Sequence, residues 1–287
     1  MTTFSFLVGL DFSRIIKTFD EAFADYYHKS KTSSERWLYN RCVKNGVALD
    51  CSVGAFDGER LVGITLVGLD DWRGVPAAFD AGTGIIPDFR GHGLARRMFD
   101  HAVPRLKERG VRQFLLEVLQ VNEPASKAYS KSGFEITREL DCYELPLCEW
   151  KAPKDAQSWQ VRPIDLELVC TFRNLVDWYP SWENSFTSIR RIPDTIFAYG
   201  AFDGSDCVGE IVYYPLLDWI VSLVVRKDLR RRGVATALLT HLLARLDPVT
   251  ETVRLTNVDH SDEAMTAFFR RHGFRLFATQ YEMALAL

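Results

Sequence analysis

Six residues, Arg90-Gly91-His92-Gly93-Leu94-Ala95, carry the clearest chemistry in this 287-residue chain. They follow an apolar stretch, Gly82 to Ile86, that Pro87 ends, so the stretch reads as a strand. They precede Met98, Phe99, Ala102, Val103 and Leu106, apolar residues at helical spacing. A small-residue loop that opens a helix lets the backbone approach a ligand. It also aims unpaired N–H groups and the positive end of the helix dipole at that ligand. Such a place suits an anion, with a pyrophosphate as the natural occupant and Arg90 as an added fixed charge. The same residues would also serve as a plain strand-to-helix turn. A P-loop is excluded because no Gly-Lys-Ser/Thr follows, and a dinucleotide fingerprint is excluded by the glycine spacing.

The loop recurs. Arg230-x-x-Gly233-x-Ala235 matches Arg90-x-x-Gly93-x-Ala95, and Gly273-Phe274 matches Gly133-Phe134, each 140 residues on. Residues 90–134 and 230–274 share 11 identities in 45 positions, where unrelated chains of ordinary composition share roughly three. Upstream, Gly54-Ala55-Phe56-Asp57-Gly58 with Val62-Gly63 returns letter for letter as Gly200-Ala201-Phe202-Asp203-Gly204 with Val208-Gly209. The chain is therefore a duplication. The Pro, Lys and Asp cluster from Pro146 to Ser158 reads as the junction, giving a first domain over 1–148, a linker over 149–158 and a second domain over 159–287. Trp159-Gln160-Val161-Arg162 restarts a strand.

The loops need elements to hold them. Each Asp-Gly pair between apolar runs predicts a hairpin. Phe114–Val118 and Val253–Val258 read as buried strands, Ala125–Lys131 and Ala264–Arg271 as the helices after them, and Leu238, Leu239, Leu242, Leu243 and Leu246 as the apolar face of a helix after the second loop. Strand, glycine loop, helix and strand in that order make a βαβ crossover.

Composition narrows the partners. A formal charge of −3 gives no global basic field of the kind that binds nucleic acid or anionic membrane, so binding must come from a local site. Six cysteines without a CxxC pair predict reduced thiols, neither a disulfide framework nor a metal site. The apolar opening Phe4 to Leu10 is short for a signal peptide and no stretch has the length of a membrane span, which predicts a soluble, cytoplasmic protein.

Pro87 to Ala95 after an apolar strand, then Leu116-Glu117-Val118, Asn122, Ala125, Tyr129 and Gly133-Phe134, resembles the GCN5-related N-acetyltransferase (GNAT) superfamily. Within it the first copy looks most like the ribosomal-protein alanine acetyltransferase branch. The resemblance covers Phe56 to about Leu145. It implies an α/β fold of two tandem domains, each a mixed, mostly antiparallel sheet with a splayed strand pair flanked by helices. It also implies acetyl-CoA as the acyl donor, coenzyme A as product and no metal. Carried over, Ile85 and Ile86 line the pantetheine arm, Arg90, Gly91, His92, Gly93, Leu94 and Ala95 hold the pyrophosphate, and Asn122 contacts the pantetheine side of the cleft.

Acetyl transfer to an amine requires the free base, yet a lysine amine has a pKa near 10.4 and an α-amine one near 7.7–8.0. A base must therefore take a proton from the acceptor, and an acid must return one to the departing thiolate. The resemblance assigns these roles to Glu117 and Tyr129; without it, a strand glutamate is ordinarily solvated and a helix tyrosine ordinarily an edge of the core. Asp25, Tyr26, Tyr27, Asp70 and Asp71 are candidates for an amine-binding wall, with ordinary surface as the plainer reading. The acceptor, a small molecule or a protein N-terminus or lysine, has no readable code in loop sequence.

The second copy departs at the reacting positions. Tyr129 becomes Phe269, Glu117 becomes Asn257 and Asn122 becomes Asp262, while Arg230, Gly233 and Ala235 remain. Val224, Val225, Arg230, Arg231, Arg232, Gly233, Val234 and Ala235 form a candidate second coenzyme site; a purely structural role and a small nucleic-acid patch on the arginine run are the alternatives. The expectation is an N-acetyltransferase worked by the first copy. The competing class is a non-catalytic acyl-CoA-binding or sensing module.

Overall fold

The computed structural model describes residues 2–25, 35–153 and 159–287. Both expected hairpins form at their Asp-Gly pairs. Gly58 and Gly204 take φ of 58° and 59°, and the strands around them pair as Asp57↔Arg60 and Asp203↔Asp206. The chain divides into two units, Met1–Thr137 with Tyr281–Leu287, and Arg138–Gln280.

The first unit runs β1 (Thr3–Phe6), α1 (Phe12–Phe23), α2 (Glu35–Asn45), β2 (Val53–Asp57), β3 (Arg60–Trp72), β4 (Val75–Ile85), α3 (Leu94–Glu108), β5 (Gln113–Leu119) and α4 (Glu123–Lys131). Its strands lie in the order β1-β2-β3-β4-β5. All neighbours are antiparallel except β4 and β5, which are parallel as a crossover through α3 requires. The helical spacing read after the first loop is real: Met98, Phe99, Ala102 and Leu106 of α3 are buried and share a core with Val53, Ala55, Phe114, Leu116 and Phe134. Strand β4 is longer than the sequence suggested. It begins at Val75, because Ala77, Ala78 and Phe79 are buried like the residues after them.

The second unit repeats the plan after β6 (Glu135–Pro146), with β7 (Gln160–Pro163), α5 (Leu166–Thr171), α6 (Phe186–Arg190), β8 (Phe197–Asp203), β9 (Asp206–Tyr214), β10 (Trp219–Val225), α7 (Val234–Leu243), β11 (Thr252–Asp259) and α8 (Glu263–Arg271). Its strand order is β6-β11-β10-β9-β8-β7, with β10 and β11 parallel. Leu238, Leu239, Leu242 and Leu243 of α7 are buried on this sheet.

The units are drawn differently from the sequence boundaries at 148 and 159, and the closing strands are the reason. Strand β6 follows α4 in the chain but pairs antiparallel with β11, from Pro146 opposite Thr252 to Leu140 opposite Asp259, and its Tyr143 and Leu145 belong to the second core. Strand β12 (Arg275–Ala286) follows α8, yet its last residues complete the first unit. There Met283, 1% exposed, lies in the core with Phe114 and Phe134, and the Leu287 N–H donates to the Arg112 carbonyl at 2.9 Å. The last residues of β12 thus belong to the first unit, and β6 from Arg138 onward to the second.

No helix among the described residues is long and apolar enough to cross a membrane. Cys42, Cys51 and Cys142 are buried as expected of core thiols, whereas Cys148 is exposed and Cys170 and Cys207 are half-buried.

Candidate active site

In the first unit β4 ends at Ile85, and a single turn over Pro87–Phe89 leads into the glycine loop. Gly93 caps α3 with φ 70° and Gly91 has φ 79°, the left-handed conformation in which a side chain is strained. A Cβ on either glycine would meet no atom within 4 Å, so the space above the loop is open. Among the described residues, the backbone N–H groups of Gly91, His92, Gly93 and Leu94 donate to no other group of the protein. These are donors that a bound anion could accept from.

Arg90 is engaged within the protein. Its Nε donates to the Ile85 carbonyl at 3.0 Å and its Nη2 to the Ala22 carbonyl at 2.9 Å, while Nη1 and Nη2 reach the two oxygens of Asp25 at 2.6 and 2.8 Å. The guanidinium holds the Asp25 carboxyl below its ordinary value. Arg90 therefore ties the end of α1 to the end of β4, and Asp25 joins this clamp instead of standing open as an amine-binding acid. Tyr26 and Tyr27 lie outside the described residues. Asp70 and Asp71 stand opposite Ala77 and Pro76 at the hairpin end of β3, the far end of β4 from Ile85.

The parallel pairing of β4 with β5 runs from Ala77↔Gln113 to Phe79↔Leu115 and stops, although β4 continues to Ile85 and β5 to Leu119. Beyond that point β4 keeps its partner β3 on one side, up to Gly63↔Ile85, and Ile86 donates to the Val62 carbonyl at 3.0 Å. Ile85 is half-buried and Ile86 is buried. Two residues past the last pair, Glu117 is half-buried on β5. Asn122 caps α4, its side chain accepting from the Ala125 N–H at 3.4 Å.

Tyr129 packs edge-on against Phe99 and Phe134, with centroids 5.8 and 5.7 Å away, and its hydroxyl donates to Asp80 Oδ2 at 3.2 Å. Sequence reasoning missed Asp80. The signal was present: a lone acid in Ala77-Ala78-Phe79-Asp80-Ala81 has to be partnered if that run is buried. Burial pushes its carboxyl up to about 6, against the downward pull of bonds from Thr83, the Gly82 N–H and Tyr129 and of the Arg41 charge.

The second unit keeps the loop and alters the cleft. Gly233 caps α7 with φ 80°, but Arg231 holds at φ 62° the place that Gly91 has in the first loop. Arg230 repeats the clamp, donating to the Val225 carbonyl at 3.1 Å and pairing with Asp177 at 2.6 Å. Strands β10 and β11 pair only as Trp219↔Arg254 and Ile220↔Leu255 before diverging. Beyond that divergence the chain's own segment 178–184 is bonded to β11 and α8. Asn184 Nδ2 donates to the Thr256 carbonyl at 2.7 Å, Asn257 Nδ2 donates to Ser181 Oγ at 3.0 Å, and the Trp178 indole donates to the Asp262 carboxylate at 2.8 Å. Phe269, in place of the tyrosine, is fully buried.

Known proteins resemble this chain in fold and in sequence. The fold matches that of a tandem GNAT protein from the clavulanic acid biosynthesis pathway, with TM-score 0.77 at 16% identity over 100% of this chain and 98% of that one. It also matches a GCN5-related N-acetyltransferase from Sphaerobacter thermophilus, with TM-score 0.72 at 16% identity over 99% and 95%. In sequence the chain is 30% identical over 92 residues to N-alpha-acetyltransferase 30 of Schizosaccharomyces pombe, and 37% identical over 83 residues to streptothricin acetyltransferase of Streptomyces lavendulae. A mycothiol acetyltransferase of Geodermatophilus obscurus is 36% identical over 89 residues. These matches take in 32%, 29% and 28% of this chain and 61%, 42% and 27% of the relatives, less than two thirds in each case. The profile of the Acetyltransferase (GNAT) family matches residues 16–134 and again 161–274, most of the chain in two copies, and the chain belongs to that family.

Proposed function

We propose that this chain transfers an acetyl group from acetyl-CoA to a primary amine in the cytoplasm, and that the first copy does the work. The observation that carries this reading is the position of the Tyr129 hydroxyl. It comes from α4 to Asp80 of β4, one residue past the last β4–β5 pair, in the unit whose glycine loop is open. The residues fit the coenzyme. Backbone N–H groups from Gly91 to Ala95 would receive the pyrophosphate, and Ile85 at the end of β4, Ile86 after it and Asn122 at the start of α4 would flank the pantetheine arm. Arg90 would serve the loop by bracing it, since its guanidinium is already engaged.

When bound, acetyl-CoA supplies a thioester carbon open to attack and a thiolate leaving group. Tyr129 would protonate that thiolate, and a carboxylate, Glu117 by family resemblance, would take a proton from the acceptor nitrogen. The second copy, with Phe269 and Asn257 at these positions and segment 178–184 bonded along β11, supports the first without turnover. Its candidate site at Val224, Val225 and Arg230 to Ala235 keeps the loop alone.

Release of free thiol from acetyl-CoA over a panel of amines, including peptide N-termini, amino sugars and polyamines, tests the reading. Turnover with at least one amine, abolished by Gly93→Trp, is expected. Acetyl-CoA binding with no acceptor-dependent thiol from any class would instead favour a carrier or sensor.

A further inference from the structure

Asp80 stands where β4 parts from β5, one residue beyond the Phe79↔Leu115 pair and at the shift of register between Leu66 and Val67 on β3. It is 8% exposed. Its Oδ1 accepts the Gly82 N–H at 3.0 Å, and its Oδ2 accepts the Thr83 hydroxyl at 2.8 Å and the Tyr129 hydroxyl at 3.2 Å. A buried carboxylate is costly unless bonded, and these donors satisfy it. The tyrosine differs from the other two in having a reaction to perform. While Asp80 is ionised, the phenolic proton points at it and not at a leaving group. Once Asp80 is protonated the bond reverses, because the carboxyl then donates to the phenol oxygen and frees the phenolic proton for the cleft.

We propose that Asp80 and Tyr129 form a proton relay, in which Asp80 takes a proton from the acceptor ammonium and passes one, through Tyr129, to the departing thiolate. The relay rests on the reading of Tyr129 as the acid. The acceptor R–NH3+ gives one proton to the Asp80 carboxylate, directly or across a water. The amine lone pair forms the C–N bond, and the C–S bond breaks with its electron pair on sulfur. The Tyr129 O–H protonates the thiolate, and the Asp80 O–H restores the Tyr129 hydroxyl. The nitrogen's second proton leaves to Glu117 and from it to solvent, so Asp80 ends as the carboxylate it began as.

The surroundings suit a group that gains and loses a proton. Beside Tyr129 of α4 stand Thr83 and, bonded to it at 3.1 Å, Thr65 of β3. From α2, Arg41 donates to the Ala81 carbonyl at 3.4 Å and its charge favours the ionised carboxyl. Helix α3 brings Phe99 against Tyr129 and Met98 against Thr65, both uncharged, and β5 carries Glu117. Burial raises the Asp80 carboxyl to about 6, so that it can hold or release a proton near neutral pH.

Asp80→Asn keeps the volume and removes the exchangeable proton. The variant is expected to lose about 10²-fold in kcat. It should also lose the acid limb of the kcat–pH profile centred near the Asp80 value of about 6, with acetyl-CoA affinity by calorimetry unchanged and the double variant with Tyr129→Phe no slower than Tyr129→Phe alone. A readout without turnover is the carbon-13 titration of aspartate carboxyls in the free protein. The Asp80 midpoint should rise in Tyr129→Phe and in Thr83→Val, since each removes a donor to the ionised form. Where Asp80→Asn folds poorly, Thr83→Val carries the test by moving the acid limb of kcat upward together with the carboxyl midpoint. If Tyr129→Phe keeps its kcat, the acid assignment fails and the relay with it. If Tyr129→Phe loses activity while Asp80→Asn keeps both its rate and its acid limb, the relay alone is overturned.

Discussion

Arg90 grips Asp25 with two bonds, Nη1 to Oδ2 at 2.6 Å and Nη2 to Oδ1 at 2.8 Å, and so joins residues 65 apart in sequence at the threshold of the glycine loop. The Arg90 and Asp25 side chains are 41% and 60% exposed, so the charge pair itself contributes little stability. The weight lies in the carbonyls of Ala22 and Ile85, which the same guanidinium also serves. Asp25→Asn should leave the melting temperature nearly unchanged, whereas Arg90→Met should lower it and weaken acetyl-CoA binding by loosening the loop. Equal melting temperatures for the two variants would show that the carbonyl bonds do not matter.

Gly93→Trp should abolish the rise in melting temperature that acetyl-CoA produces in the wild type, because the new side chain occupies the open space above the loop. Calorimetry on the wild type should give one strong site per chain, since segment 178–184 is already bonded along β11 in the second unit. Two equal sites, with the thermal shift surviving the substitution, would reverse the assignment of the working copy.

Tyr129→Phe should lower kcat by about 10²- to 10⁴-fold with acetyl-CoA affinity little changed, since the hydroxyl acts on charge that develops in the transition state. Steady-state kinetics on any accepted amine decides it. A variant with wild-type kcat would reduce Tyr129 to an edge of the aromatic cluster with Phe99 and Phe134.

Glu210 of β9 has no exposed surface and accepts from the Ser222 hydroxyl at 2.5 Å; its Oε2 has no partner among the described residues. Burial raises its carboxyl from 4.5 to about 8. Between those values the folded chain keeps a proton that the unfolded chain has released. The group's contribution to stability is therefore complete below pH 4.5 and is lost as pH rises toward 8. Glu210→Gln should raise the unfolding midpoint more at pH 8 than at pH 5. A benefit of the same size at both would mean that the carboxyl does not titrate in this range.

Met283→Ala should cost about 2–5 kcal/mol, the usual loss for a buried methionine side chain, although residue 283 lies far in sequence from the core it fills. Removal of 281–287 should expose the first unit to limited proteolysis before the second. Uniform resistance after truncation would show that the strand is dispensable to that core.

What the sequence determined by itself was local. The duplication, the two Asp-Gly hairpins, the helices after Gly93 and Gly233 and the change from Tyr129 to Phe269 all follow from residue types at short spacing, and period and turn chemistry act over a few residues. The tertiary structure decided what depended on register and on open strand edges. Tyr129 meets Asp80 across 49 residues because β4 leaves β5 after Phe79. Met283 enters the first core because β12 ends there, and β6 pairs instead with β11. A strand's apolar pattern says that it will be buried but does not name its neighbour. Strand partners are chosen by competition among all available edges, and only the folded chain resolves that competition.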